Sequence, residues 1–309
     1  METRPLGNTG LQVSMLGYGG APLGGIFGDN DETEGIATAH AVFDSGINYV
    51  DVAPYYGVTR AETVLGKALK TIPREKYILS TKVGRYDSNV FDFSAARVTQ
   101  SVEESLQRLN IDYIDLILCH DIEFVDINQI INETLPALFK VRDQGKVRFV
   151  GFSGLPLAIY PRVIDQVAVD AIITYCHYSL NDSSLANLTP YLKAKQVGIV
   201  NASPLGMGLL TNNPPPAWHP ADDEIKAACI RAAALCREYG EDLATLGLKF
   251  SLTNPDVSST LSGISSRQQL AQNLACVNTP PDPELLKEVL AIMEPIHNRT
   301  WLSGKPENN

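Results

Sequence analysis

Eight times along this chain a short apolar, β-branched run is followed by a stretch with helical spacing, and that alternation leaves few folds open. The strand-like runs are VSMLGYG (13–19), INYVDVA (47–53), YILSTKV (77–83), YIDLILCH (113–120), VRFVGFS (147–153), AIITYC (171–176), VGIVNAS (197–203) and VSSTLSGI (257–264). Several are apolar at nearly every position, as strands buried on both faces must be. The helical stretches are 32–45, 60–70, 94–109, 127–144, 156–166, 183–195, 222–239 and 266–276. Ser94 stands as an N-cap, and Gly145 and Gly198 fall where helices hand over to strands. Eight β and α units predict a parallel sheet, and eight is the number that closes. The predicted fold is α/β, a (β/α)8 TIM barrel.

The 309 residues suit one such barrel with extra loops, and no Pro/Ser/Gly linker divides them, so residues 1–309 read as one domain. Three segments lie outside the repeat. Residues 3–14 carry GNTG between short runs and predict an N-terminal β-hairpin across the barrel's bottom. Residues 206–221 form a Gly/Pro-rich loop after strand seven, and residues 279–309 a tail with one helix over 283–296. Both tryptophans, Trp218 and Trp301, fall in these last two additions.

The net charge of −10 argues against nucleic acid as a partner, and no run reaches the length of a membrane span or signal peptide. Five scattered cysteines (119, 176, 229, 236 and 276) without a CxxC pair suggest packed thiols in a reducing, cytoplasmic setting. The five histidines show no HxH or HExxH spacing, so no metal is expected. What remains is a small-molecule partner, handled by a monomer or homodimer.

In a closed barrel, chemistry sits at the C-terminal ends of the strands. Asp51, Lys82 and His120 end strands two, three and four, and Tyr56 lies on the short loop after Asp51. Taken singly they read as a loop anchor, a surface cation, a core imidazole and a packing ring. Taken together they are what carbonyl–alcohol interconversion needs. A phenol near pKa 10 loses its proton poorly at neutrality, and an ammonium beside it favours phenolate. Asp51 would hold Lys82, Lys82 would ease Tyr56 toward phenolate, and a neutral His120 would orient the reacting oxygen. Cys119, one residue before His120, points the other way and reads as packing.

DVAPYYG (51–57), STKVG (80–84), LILCHD (116–121), GFSG (151–154), SPLGMGLL (203–210) and GISSRQQLAQN (263–273) resemble aldo-keto reductases, in order and over nearly the whole chain. The resemblance implies that Asp51, Tyr56, Lys82 and His120 are the family's catalytic tetrad. It also implies a nicotinamide cofactor bound without a GxGxxG fingerprint, which this chain lacks. The match extends to SGLPL (153–157), YCHYSLND (175–182), PPPAWHPA (214–221) and NRTWLSG (298–304), resembling a branch of the family that oxidises sugars at C1 with NAD.

For the cofactor the resemblance implies Gly20, Ala21, Asp51, Ser153, Tyr175, Ser203, Pro204, Leu205, Gly206, Gly208, Leu209, Gly263, Ser265, Arg267, Gln269, Gln272 and Asn273. Family members that take NADP carry cations at the positions of Gly263 and Gln269. Their absence here favours NAD, with Arg267 the nearby cation that could rescue NADP. The family's strand-six Gln is Tyr175, the Asn after Ser153 is Gly154, and the ring-stacking aromatic is Ala202. Tyr55, Tyr56, Arg85, His120, Asp121, Phe124 and Trp218 are the expected substrate contacts, since a sugar wants hydrogen-bonding groups beside an aromatic face.

Overall fold

A computed structural model describes residues 1–26 and 31–309. A two-stranded antiparallel hairpin, β1 (Thr3–Pro5) with β2 (Gln12–Ser14), comes first. Eight strands then close into a parallel barrel: β3 (Leu16–Gly19), β4 (Tyr49–Asp51), β5 (Ile78–Val83), and, past the small antiparallel pair β6 (Arg85–Asp87) and β7 (Val90–Phe91), β8 (Ile114–Cys119), β9 (Val147–Gly154), β10 (Ala171–Tyr175), β11 (Gly198–Ala202) and β12 (Ser259–Gly263). Each barrel strand pairs with the next in the chain, and β12 returns to β3, so the predicted (β/α)8 architecture holds.

The run at 13–19 does not form one strand. Ser14 turns the chain: its hydroxyl donates to the Leu16 carbonyl at 2.7 Å and accepts from the Asn48 amide at 3.1 Å, so the run is shared between hairpin and barrel. The hairpin does close the bottom. Leu6, Leu11 and Val13 are buried against Tyr49, Leu116, Leu118, Ile173, Val200 and Leu261, filling the barrel interior from below. Burying three such side chains is worth about 1.5–3 kcal/mol each, enough to fix which end stays open.

The outer shell differs most from the sequence reading after β11. Between β11 and β12 stand two helices, Asp223–Glu238 and Leu243–Leu252. The second, unread in the sequence, packs on the barrel through Leu248 and Leu252. The first, read as the crossover, joins helix Pro283–Met293 of the tail in a separate core that includes Ile225, Leu285, Val289 and Met293. Its apolar face is satisfied by the tail. The helix expected over 156–166 is confined to Ile159–Ile164.

All five cysteines are free and buried. Among the described residues no helix is long and apolar enough to cross a membrane, and no three potential metal ligands cluster.

Candidate active site

The rim at the strands' C-terminal ends carries backbone in the left-handed region at three non-glycine residues: Asp121 (φ 54°), Cys176 (φ 65°) and Ser203 (φ 51°). Such residues are costly and gather where a site over-determines them. Tyr56 reaches this rim on a tight turn. A Cβ on Gly24 would stand 2.5 Å from the Tyr56 carbonyl, and Gly57 (φ 65°) meets the Gly24 backbone in turn. Two bare backbones in contact thus fix the phenol's height.

The four expected residues converge. Lys82 Nζ donates to Asp51 Oδ2 at 2.5 Å, to the Val52 carbonyl at 3.2 Å and to Tyr56 Oη at 2.9 Å. Ser80, which the sequence did not single out, donates to the other Asp51 oxygen at 2.7 Å. The His120 ring stands edge-on to Tyr56, centroids 5.7 Å apart at 90°. Its Nδ1 is buried and has no hydrogen-bond partner among the described residues.

The charge states follow from burial. Burial works against the Lys82 ammonium, but Asp51 and Tyr56 more than offset it, and its pKa is raised. Burial pushes the Tyr56 phenol up to about 12, with Lys82 pulling part of the way back. Lys82 does ease Tyr56 toward phenolate, as expected, but desolvation, which the sequence does not show, is larger than that pull. Burial pushes His120 down to about 3, against Asp121 and helped by Lys82 and Arg85, so its imidazole is neutral.

Beside the tetrad stands a cationic box. Arg85 donates to Asp121 Oδ2 at 2.5 Å, and its guanidinium lies 4.0 Å from the Tyr55 ring centroid and 5.1 Å from that of Phe124. Phe124 stacks on Phe91 at 4.8 Å. Asp121 also holds Ser153, whose hydroxyl donates to its Oδ1 at 3.2 Å and accepts from its amide at 3.0 Å. Trp218 is 60% exposed and meets the ring of His219, which Trp301 contacts edge-on at 4.8 Å. Among the described residues no hydrogen bond or ring contact joins Trp218 to Asp51, Tyr56, Lys82 or His120.

The remaining rim candidates divide. Small residues, Gly20, Ala21, Ala202, Gly206, Gly208 and Gly263, gather on the β3, β11 and β12 side, where a Cβ on Gly20 would stand 3.0 Å from the Asp51 carbonyl and one on Gly263 3.2 Å from Pro22. Pro204 is buried on this side, Leu205 part-buried beside it, and the Leu209 side chain turns away into the second core. At the start of helix Arg267–Cys276, Gln269 accepts from the Ser265 amide at 2.8 Å, and Asn273 donates to Ser262 at 3.1 Å, while Gln272 lies exposed on the next turn. Arg267 is engaged: it donates to Glu34 Oε2 at 2.9 Å through Nη2 and to Oε1 at 3.2 Å through Nε. Glu34 and Glu123, described below, were missed. Their partners lie far off in sequence, and no local pattern marks them.

A parallel eight-stranded barrel with a lysine-bridged tyrosine and a neutral histidine at its mouth defines an oxidoreductase-type site. Comparison agrees. The Aldo/keto reductase family profile matches residues 15–294. The chain is 50% identical to L-galactose dehydrogenase of Arabidopsis thaliana over 100% of itself and 99% of that protein. It is 34% identical to D-arabinose 1-dehydrogenase of Saccharomyces cerevisiae, over 95% of each. An aldo-keto reductase of Bacillus halodurans, solved in its holo form, superposes with a TM-score of 0.78 at 28% identity, covering 98% of each chain. The chain belongs to the aldo/keto reductase family, whose members use nicotinamide cofactors.

Proposed function

We propose that this protein oxidises L-galactose at C1 to the galactono-lactone with NAD, a reaction serving ascorbate biosynthesis. The observation that carries the reading is the Lys82 ammonium set between Asp51 and Tyr56, with the neutral His120 ring beside them. The 50% identity to a plant L-galactose dehydrogenase over the whole chain supports the choice of sugar.

The small residues on the β3, β11 and β12 side, with the start of helix Arg267–Cys276 beside them, fit a dinucleotide. Gly20, Ala21, Ser153, Tyr175, the 203–209 segment and residues 263–273 would hold it. Bound there, NAD supplies the hydride acceptor and a cationic ring. Tyr56 would first lose its own proton to solvent, Lys82 stabilising the phenolate, and would then take the C1 hydroxyl proton as the C1 hydride leaves for the nicotinamide. Asp51 keeps Lys82 charged and in place. His120, neutral, would hydrogen-bond the C1 oxygen without competing for its proton. Arg85, Tyr55 and Asp121 meet the remaining hydroxyls, and the Phe124 ring offers an apolar face.

NAD is favoured over NADP because Arg267, the cation near the dinucleotide's far end, is already paired with Glu34. A 2′-phosphate there would face that carboxylate.

The test is a panel of L-galactose, L-fucose, D-arabinose and D-threo-aldoses with NAD and NADP. The reading expects the highest kcat/KM with L-galactose and NAD. A much higher value for D-arabinose or L-fucose would move the assignment to a related aldose 1-dehydrogenase, which the 34% identity to a D-arabinose enzyme also supports. Preference for NADPH with simple aldehydes would make it a carbonyl reductase instead.

A further inference from the structure

Glu123 lies outside the tetrad, fully buried behind the rim on the turn Ile122–Phe124. Its Oε1 accepts from the Tyr175 hydroxyl at 3.3 Å, from Ser303 Oγ at 2.9 Å and from the Leu155 amide at 3.2 Å. Its main-chain carbonyl accepts from the Lys305 amide and from Asn308 Nδ2, both at 2.9 Å. One residue therefore joins the end of β10, the chain after β9 and the tail.

The tail is built to meet it. Asn308 is 1% exposed and donates a second bond to the Val125 carbonyl at 2.9 Å. A Cβ on Gly304 would overlap the Glu123 carbonyl, and one on Gly154 would stand 2.8 Å from Glu123 Oε2. Oε2 itself is buried and has no hydrogen-bond partner among the described residues. A core does not need an acid with an idle oxygen, and hydrophobic packing would serve stability better. The acid's partner at the mouth is Tyr175, part-buried at the end of β10 and within electrostatic reach of Asp121 and Arg85.

We propose that Glu123 is a positioning residue that fixes Tyr175 at the mouth and ties it to the docked C-terminal strap, residues 303–308, so that the strap's seating sets how firmly the cofactor's nicotinamide end is held. The cofactor part rests on the function proposed above; the strap part does not.

The experiment uses the full chain as wild type, Glu123→Gln, Glu123→Ala, Tyr175→Phe, Asn308→Ala and the Glu123→Ala/Tyr175→Phe double variant. Hydrogen exchange at residues 303–309 reads the strap, and steady-state kinetics with calorimetric NAD titration read the mouth. Glu123→Ala is expected to speed exchange in the strap and raise the KM for NAD about tenfold, with kcat within about threefold. Glu123→Gln, neutral and of the same shape, restores most of both. Tyr175→Phe raises the NAD KM without freeing the strap and adds little on top of Glu123→Ala, since the two act through one bond. Asn308→Ala shifts both readouts the same way, and carries the comparison with Tyr175→Phe should Glu123→Ala not fold. Unchanged strap exchange, unchanged NAD affinity in a folded Glu123→Ala or Asn308→Ala protein, or fully additive effects overturns the proposal. If wild type oxidises no sugar with either cofactor, the proposed function falls by itself, and the exchange data still decide whether Glu123 holds the strap.

Discussion

The Lys82 ammonium stands between two side-chain oxygens, 2.5 Å from that of Asp51 and 2.9 Å from that of Tyr56. Asp51 offsets part of the charge that Tyr56 feels, and burial keeps the phenol up at about 12. Proton acceptance from an alcohol then needs a minor phenolate form. That fraction grows about tenfold per pH unit below the phenol's pKa, so kcat/KM for oxidation should climb with pH across about pH 6 to 9. Lys82→Met removes the one favourable charge, raises the phenol further and should depress the whole profile. A pH–rate series on both proteins checks this, and a flat wild-type profile would count against Tyr56 as the proton acceptor.

Arg85 is held by Asp121 and stacked on Tyr55. A lysine keeps the charge but loses the planar fork and the stacking. Arg85→Lys should raise the sugar KM about tenfold and leave the KM for NAD within twofold. Equal loss on both would mean that Arg85 supports the rim as a whole and does not read the sugar.

Glu34 and Arg267 form a two-point ion pair beside Ser265 and Gln269. Both are exposed enough that breaking the pair should cost little stability. Glu34→Gln frees the guanidinium and removes the carboxylate that a 2′-phosphate would meet. The KM for NADP should fall several-fold while that for NAD barely moves. An unchanged NADP/NAD ratio would place the source of the preference elsewhere.

The positions of Asp51, Lys82 and His120 were legible because a parallel barrel gathers the C-terminal ends of its strands at one mouth, and all three lie at or within one residue of such an end. The hairpin was legible from GNTG, and its Leu6 and Leu11 plug the bottom as expected. The crossover helix Leu243–Leu252 was not, because it is short, carries Gly247, and follows a longer helix that looked sufficient. Glu123 and Glu34 were hidden for a different reason. Their partners Ser303 and Arg267 lie 180 and 233 residues away, and a lone acid in a local window carries no sign of such contacts. The pull of Lys82 on Tyr56 was legible from their spacing, but the larger effect of burial was not, because desolvation depends on the packed whole.

Glu123 also predicts a pH effect on stability. Burial first, and the charge of Asp121 second, push its pKa from 4.5 up to about 7. Asp121, its own pKa lowered, stays charged across this range, Tyr160 and Tyr175 stay neutral, and Ser303 adds only a hydroxyl. A folded-state pKa above the unfolded one means the protonated acid favours the fold, and this contribution is lost as pH rises from about 4.5 through about 7. The loss is on the order of 3 kcal/mol at most. Glu123→Gln cannot titrate, so its melting temperature should overtake wild type across that window, with the two alike below it. Parallel melting curves from pH 4 to 8 would show that the acid does not titrate there.

The central claim is that the Tyr56 hydroxyl carries the proton in sugar oxidation, and Tyr56→Phe tests it most directly, since the ring stays and one oxygen goes. With L-galactose and saturating NAD, kcat should fall at least about 100-fold, equivalent to roughly 2.7 kcal/mol of transition-state stabilisation, while NAD affinity holds within about twofold. Turnover within a few-fold of wild type would mean the proton travels by another route.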